Sequence, residues 1–110
     1  MTGKIVVLVT CASAAQARKI ARALVGARLA ACGNVLEVPV RSIYRWKGRV
    51  ESAKEFLLVL KTSWERFAAV ERVVRGLHTY EVPEILALPI VAGARDYLTW
   101  ISESVARPKR

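Results

Sequence analysis

Hydrophobic and polar positions follow two different periods along this chain, and the order of those periods predicts an architecture. Ile5–Val9 is an unbroken aliphatic run between Lys4 and Thr10, and Phe56–Leu60 is a second such run behind Glu55. Short apolar runs with no polar alternation predict central strands covered on both faces. Between them Ile20, Leu24, Ala27 and Ala31 recur at helical spacing opposite Arg18, Lys19 and Arg22, which predicts an amphipathic helix over 15–31. After Gly33 the β-branched and aromatic content of 35–46 predicts a strand, and Lys47-Gly48 turns it back into the next one as a long hairpin. Thr62 and Glu65 have capping-box spacing just ahead of Phe67, Val70, Val74 and Leu77, an apolar stripe of helical period. A strand over 85–91 follows, then Gly93, then Tyr97, Leu98, Ile101 and Val105 on one face of a short helix.

Strand, helix, strand, strand, helix, strand and a final helix is the plan of an α+β, ferredoxin-like split βαβ sandwich. Right-handed crossovers then give an antiparallel sheet of strand order 4-1-3-2 with helices on one face. In that sheet the end of the first strand lies beside the start of the fourth. Cys11, His78, Glu81 and Glu84 are therefore expected at one rim, with Cys32 at the opposite rim. Pro89 has no N–H to give to a ladder on its own side, which marks the last strand as an edge or as one paired elsewhere.

Length changes the picture only by limiting it: 110 residues support one core, so residues 1–110 read as a single domain. The net charge of +9 comes from 18 Lys and Arg against 9 Asp and Glu, spread along the chain until the closing Arg107, Lys109 and Arg110. Dispersed charge of this kind favours solubility and weak attraction to anions and says little about fold. Cys11 and Cys32 are too few for a disulfide framework and too far apart for a CxxC clasp, which fits a reducing, cytoplasmic setting. The five-residue run Ile5–Val9 is too short for a leader or a membrane span, so no membrane association is expected.

The densest chemistry lies in His78–Ile90, which holds the sole histidine, two carboxylates and two prolines. A thiolate, an imidazole and carboxylates at one rim form a donor set suited to copper or zinc. The plainer explanation is that Cys11 is a small buried hydrophobe and that His78 caps the carbonyl end of the second helix. Tyr44 and Trp46 interleave with Arg41, Arg45, Lys47 and Arg49, as a single-stranded nucleic-acid platform would require. Assembly accounts for the hairpin better, because its exposed edges need partners and a neighbouring subunit supplies them. Trp64 and Trp100 fit shielding of helix or subunit packing, and Tyr80 fits an anchor at the rim. Glu81 and Glu84, three apart in an extended segment, point to different sides and make no acid–base pair. With no phosphate cradle and no nucleophile beside a base, the chain is not expected to be an enzyme.

Five blocks occur in one order: Arg28-Leu29-Ala30-Ala31-Cys32, Ser42 to Glu51, Leu60-Lys61-Thr62, Tyr80 to Ile85 with Leu88-Pro89-Ile90, and Tyr97 to Ile101. Together they resemble the CutA divalent-cation tolerance family over about residues 4–102. That resemblance implies a non-catalytic, ferredoxin-like subunit in a homotrimer similar in assembly to the PII signalling proteins. It also implies weak binding of copper(II) or another divalent metal, with Cys11 and His78 as metal ligands and Glu84 as support. A role in metal response or signalling follows from it. Thr79 stands where the family usually has Pro. The alternative reading is a PII-like interaction module that takes an anionic metabolite, a nucleic acid or a partner protein through its clefts or basic hairpin.

Overall fold

A computed structural model describes residues 1–107; Lys109 and Arg110 of the basic C-terminal cluster lie outside the described residues. Eight elements follow in the expected order: β1 (Lys4–Cys11), α1 (Ala14–Gly26), β2 (Cys32–Val35), β3 (Val40–Trp46), β4 (Arg49–Ser63), α2 (Phe67–Leu77), β5 (Ile85–Pro89) and α3 (Arg95–Ser104). A 3-10 turn, Trp64–Arg66, leads into α2. The sheet order is β2-β4-β1-β5, with β3 also pairing β4 and every pairing antiparallel. With β2 and β3 taken as one interrupted strand, this is the 4-1-3-2 order read from the sequence, and Pro89 does lie on an edge strand.

Both helices bury their apolar stripes on one sheet face. Ile20 and Leu24 of α1 and Val70 and Val74 of α2 are fully buried against Val7, Val9, Leu58 and Leu60. Each such side chain stabilises the fold by roughly 2 kcal/mol relative to exposure, so this layer dominates the subunit's stability. Gly33 allows α1 to sit close, because a Cβ there would lie 2.9 Å from the Ala21 Cβ and 3.2 Å from a Leu60 methyl. Along β1 burial alternates strictly from Lys4 to Val9, however, so the strand is covered on one face only. Of the two covers expected for this strand, the chain's own helices supply one. Val6 and Leu8 lie on the face away from α1 and α2, beside Leu57 and Val59 of β4 and Leu86 and Leu88 of β5. This chain leaves those six apolar side chains half-buried or exposed.

Three further expectations shift. The first helix ends at Gly26, not Ala31, because Arg28 takes a left-handed φ of 60° and breaks the ladder. Ser13 starts that helix, its hydroxyl accepting the Gln16 N–H at 3.1 Å. The expected capping box is absent: Thr62 points into the core and donates its hydroxyl to the Leu29 carbonyl at 2.7 Å. The long outer strand is interrupted at 36–39. From Val35 to Val40 it advances five residues while its partner on β4 retreats only three, from Leu58 to Glu55. Pro39, unable to donate to the ladder, falls in that bulge, and Glu37 there is held by Arg18 of α1 at 2.9 Å.

Beyond the bulge β3 and β4 form a free ribbon. β1 pairs β4 only from Phe56 to Ser63, so Arg49–Glu55 have β3 as their sole strand partner among the described residues. Lys47 and Gly48 close the ribbon with φ of 51° and 78°, the two positive values a tight hairpin turn requires. The ribbon contributes to extents of 48 × 29 × 24 Å and a radius of gyration of 14.6 Å, against roughly 13 Å for a compact chain of this length.

Candidate functional site

The rim is built where β1 ends beside the start of β5, with Val9 opposite Ile85. α2 delivers the chain to this place. His78 is its C-cap, and the backbone N–H of His78 closes the last turn on the Val74 carbonyl. The imidazole then turns away from the helix. Its Nε2 lies 2.7 Å from the Thr10 carbonyl, and its Nδ1 accepts the Tyr80 N–H at 3.1 Å. A carbonyl only accepts and an amide N–H only donates, so these partners select the neutral ring with its proton on Nε2. The residue caps the helix by backbone alone, and its side chain ties the following loop to β1.

Cys11 is adjacent to Thr10 and completely buried. Burial, helped by the charge of Glu55, pushes its thiol from 9.0 up to about 11. Glu84 is half-buried, and its carboxyl is raised by burial and then by Glu55. Tyr80 is raised furthest, by burial first and then by a side-chain hydrogen bond to Glu55 and by its charge. Its ring lies 4.6 Å from that of His78, tilted by 53°. The end of β1, the C-cap of α2 and the residue before β5 thus share one end of the sheet, which puts Cys11, His78 and Glu84 in the same neighbourhood, while Glu81 is exposed at its border. Cys32 lies at the other end opposite Lys61, its thiol 3.7 Å from the Asn34 side-chain carbonyl oxygen.

Glu55 is the residue that sequence reasoning passed over. It is only 7% exposed and its charge acts on Cys11, Tyr80 and Glu84 alike. A carboxylate directly ahead of Phe56–Leu60 looks like a strand boundary. The usable signal was its parity with Leu57 and Val59, which places it on the sheet face away from α1 and α2.

The rim suits a metal in donor type more than in arrangement. Thiolate, imidazole and carboxylate are the right classes for copper or zinc. Among the described residues, however, no three His, Cys, Asp or Glu side chains converge as a ligand set. A metal at His78 has to displace one of the ring's two hydrogen bonds, and one at Cys11 has to draw off a thiol proton that burial holds. The same arrangement argues against a catalytic cysteine, which needs its thiol pushed down rather than up.

Comparison with known proteins agrees with this geometry. The family model described as CutA1 divalent ion tolerance protein matches residues 5–104. The divalent-cation tolerance protein CutA of Thermus thermophilus is 51% identical over 100 residues, spanning 90% of this chain and 95% of that protein. A solved structure of a divalent cation tolerance protein from Thermus thermophilus superposes with a TM-score of 0.90 at 48% identity, covering 94% of this chain and 99% of the other. The structure described as the periplasmic divalent cation tolerance protein CutA from Archaeoglobus fulgidus also gives 0.90, at 38% identity with the same coverage. The quoted sequence blocks and the sheet order point the same way, and the chain belongs to the CutA1 divalent ion tolerance protein family.

Proposed function

We propose that this protein acts without catalysis, as a cytoplasmic homotrimer that takes copper(II) or another divalent cation weakly at each of three equivalent rims, in metal response or signalling. The observation that carries the assembly is the open sheet face. Val6, Leu8, Leu57, Val59, Leu86 and Leu88 form an apolar layer on the face opposite α1 and α2, with Leu86 at 55% and Leu88 at 45% exposure. Apolar patches of that kind mark interaction surfaces, and copies related by a threefold axis close on such a face without leaving a free edge. The unbroken aliphatic run of β1 is what a strand needs when one face is covered by its own helices and the other by sister copies.

The metal reading is supported by the donor types of Cys11, His78 and Glu84 at one end of the sheet, and weakness follows from their not converging as a ligand set. Ionising the Cys11 thiol, at about 11 instead of 9.0, costs roughly 3 kcal/mol more than ionising an ordinary cysteine. Two unpaired cysteines fit a reducing compartment, and among the described residues no helix is long and apolar enough to cross a membrane. Calorimetric titration of copper(II) into the protein, Cys11→Ser, His78→Ala and Glu84→Gln tests the assignment. Each substitution is expected to weaken binding, Cys11→Ser most, and unchanged affinity in all three removes the site.

A second reading keeps the family's cation tolerance but places the work on the ribbon. Arg41, Arg45 and Lys54 share its outward face with Ile43 and Val50, which are 71% and 67% exposed. Two bare aliphatic side chains inside a basic surround favour an acidic partner protein over a nucleic acid or a small anionic metabolite. Binding through that face weakens steeply as salt rises, whereas inner-sphere metal ligation does not.

A further inference from the structure

We propose that the outer face of the two-helix layer binds the phosphate backbone of a nucleic-acid duplex without reading its bases. Basic residues that are dispersed in sequence gather there. Ala17, Ile20, Ala21 and Leu24 turn α1 toward the sheet, which leaves Arg18, Lys19 and Arg22 on its solvent side. Val70 and Val74 do the same for α2 and leave Arg72 and Arg75 outward. The helices pack side by side and antiparallel, since α1 leaves the end of β1 and α2 returns there at His78. These exposed cations thus share one surface, and it lies opposite the sheet face assigned to contact between copies.

Charge on this surface is poorly balanced. α1 holds no acidic residue, and α2 holds Glu71 alone. Arg18 pairs with Glu37 and Arg75 with Glu71, both in solvent where such pairs are worth little. Among the described residues Lys19, Arg22 and Arg72 have no ion pair. All but Lys19 are arginines, whose planar fork meets phosphate oxygens in pairs. What the surface lacks decides its occupant. A protein partner needs an apolar anchor inside a polar rim, yet of the large apolar side chains in α1 and α2 only Val25 is exposed. A bilayer needs apolar residues to insert, and both helices have turned theirs into the core. The bases of an unpaired strand need aromatic platforms, whereas the sole ring on these helices, Phe67, packs against that core. The hollow beside Arg22, lined by Ala21, Val25, Gly26 and Gly33, brings only one cation to a small anion. A duplex asks for nothing but cations, and its charge, one per about 1.7 Å of axis, rewards them most.

Fluorescence anisotropy of a labelled, mixed-sequence DNA duplex titrated with the full chain provides the test. Micromolar binding is expected at low salt, with equal affinity for unrelated sequences. With Lys19, Arg22 and Arg72 each neutralising one phosphate, log affinity falls against log salt with a slope of about −2.7, a loss of about 40-fold between roughly 50 and 200 mM. Arg22→Gln combined with Arg72→Gln should bring the slope to about −0.9, since each removes one phosphate contact and Gln preserves the helix. Arg95→Gln combined with Arg107→Gln removes the same charge outside α1 and α2 and should leave the slope nearly unchanged. No binding at low salt overturns the proposal. So do equal losses in the two double variants, which would mark attraction by net charge alone. Tighter binding of a single strand of the same length, or polyglutamate competing as well as duplex of equal charge, also overturns it, the second by pointing to an acidic protein.

Discussion

His78 and Thr10 lie 68 positions apart in sequence, and the imidazole Nε2 of one donates to the carbonyl of the other across 2.7 Å. With Nδ1 taken by the Tyr80 N–H, the ring is a latch that fastens the loop after α2 to the end of the backbone in β1. The fold needs this latch because the loop between Leu77 and Ile85 has no regular structure of its own to hold Glu84 and Tyr80 in place. Under the metal proposal His78 becomes a contested group, because a cation there would need a nitrogen that the latch already uses.

Removing the latch should therefore loosen the rim before it unfolds the domain. His78→Ala leaves the Thr10 carbonyl and the Tyr80 amide without their side-chain partner in a half-buried place, and is expected to cost about 1–3 kcal/mol. Urea unfolding of wild type and variant reads the cost, and hydrogen exchange at the Tyr80 amide should rise well above that at core amides of β4. An unchanged midpoint together with unchanged exchange would show that the ring is dispensable.

Assembly through the sheet face makes a different demand. Leu8 stands between Val59 of β4 and Leu86 of β5 in the open apolar layer, so Leu8→Arg introduces a charge where three copies would meet. Burial of an unpaired charge is severe enough to abolish association. The helix-covered face is left untouched, so native circular dichroism should survive. Light scattering is expected to give three times 12.2 kDa for the wild type and a single copy for the variant. A wild-type monomer sinks the trimer reading, and a variant that stays trimeric moves the interface elsewhere.

Much of this was readable in the residues, and the exceptions share a cause. Strand order and the placing of His78 against the end of β1 followed from period and handedness, which depend on many positions at once. What failed depended on one. Ala27 and Ala31 keep helical spacing past Gly26, yet Arg28 at φ 60° ends the helix. Thr62 has the spacing of a cap, but its register opposite Ile5 turns it inward. Pro39 reads as an ordinary interruption until pairing shows two residues absorbed in a bulge. Glu55 hid because a charge before an apolar run looks like its boundary, and only the length of β4, fifteen residues, places it inside a strand.

The Cys11 thiol sets an alkaline limit on stability. Burial first and the Glu55 charge second favour its neutral form, raising it from 9.0 to about 11. A group raised on folding contributes stability in full below its unfolded value and loses it as pH climbs through the folded one. The stabilisation is thus complete at pH 8, declines from about 9, and is gone above about 11, a loss of roughly 3 kcal/mol per chain. Urea unfolding between about pH 8 and pH 11.5 should show this decline, and Cys11→Ala should flatten it even if the smaller side chain lowers stability at every pH. Slope, not height, is the diagnostic quantity, because the cavity left by the thiol does not titrate. At pH 8 a disulfide reagent should consume Cys32 well before the sealed Cys11, and equal rates would show that the rim opens far more readily than its packing implies.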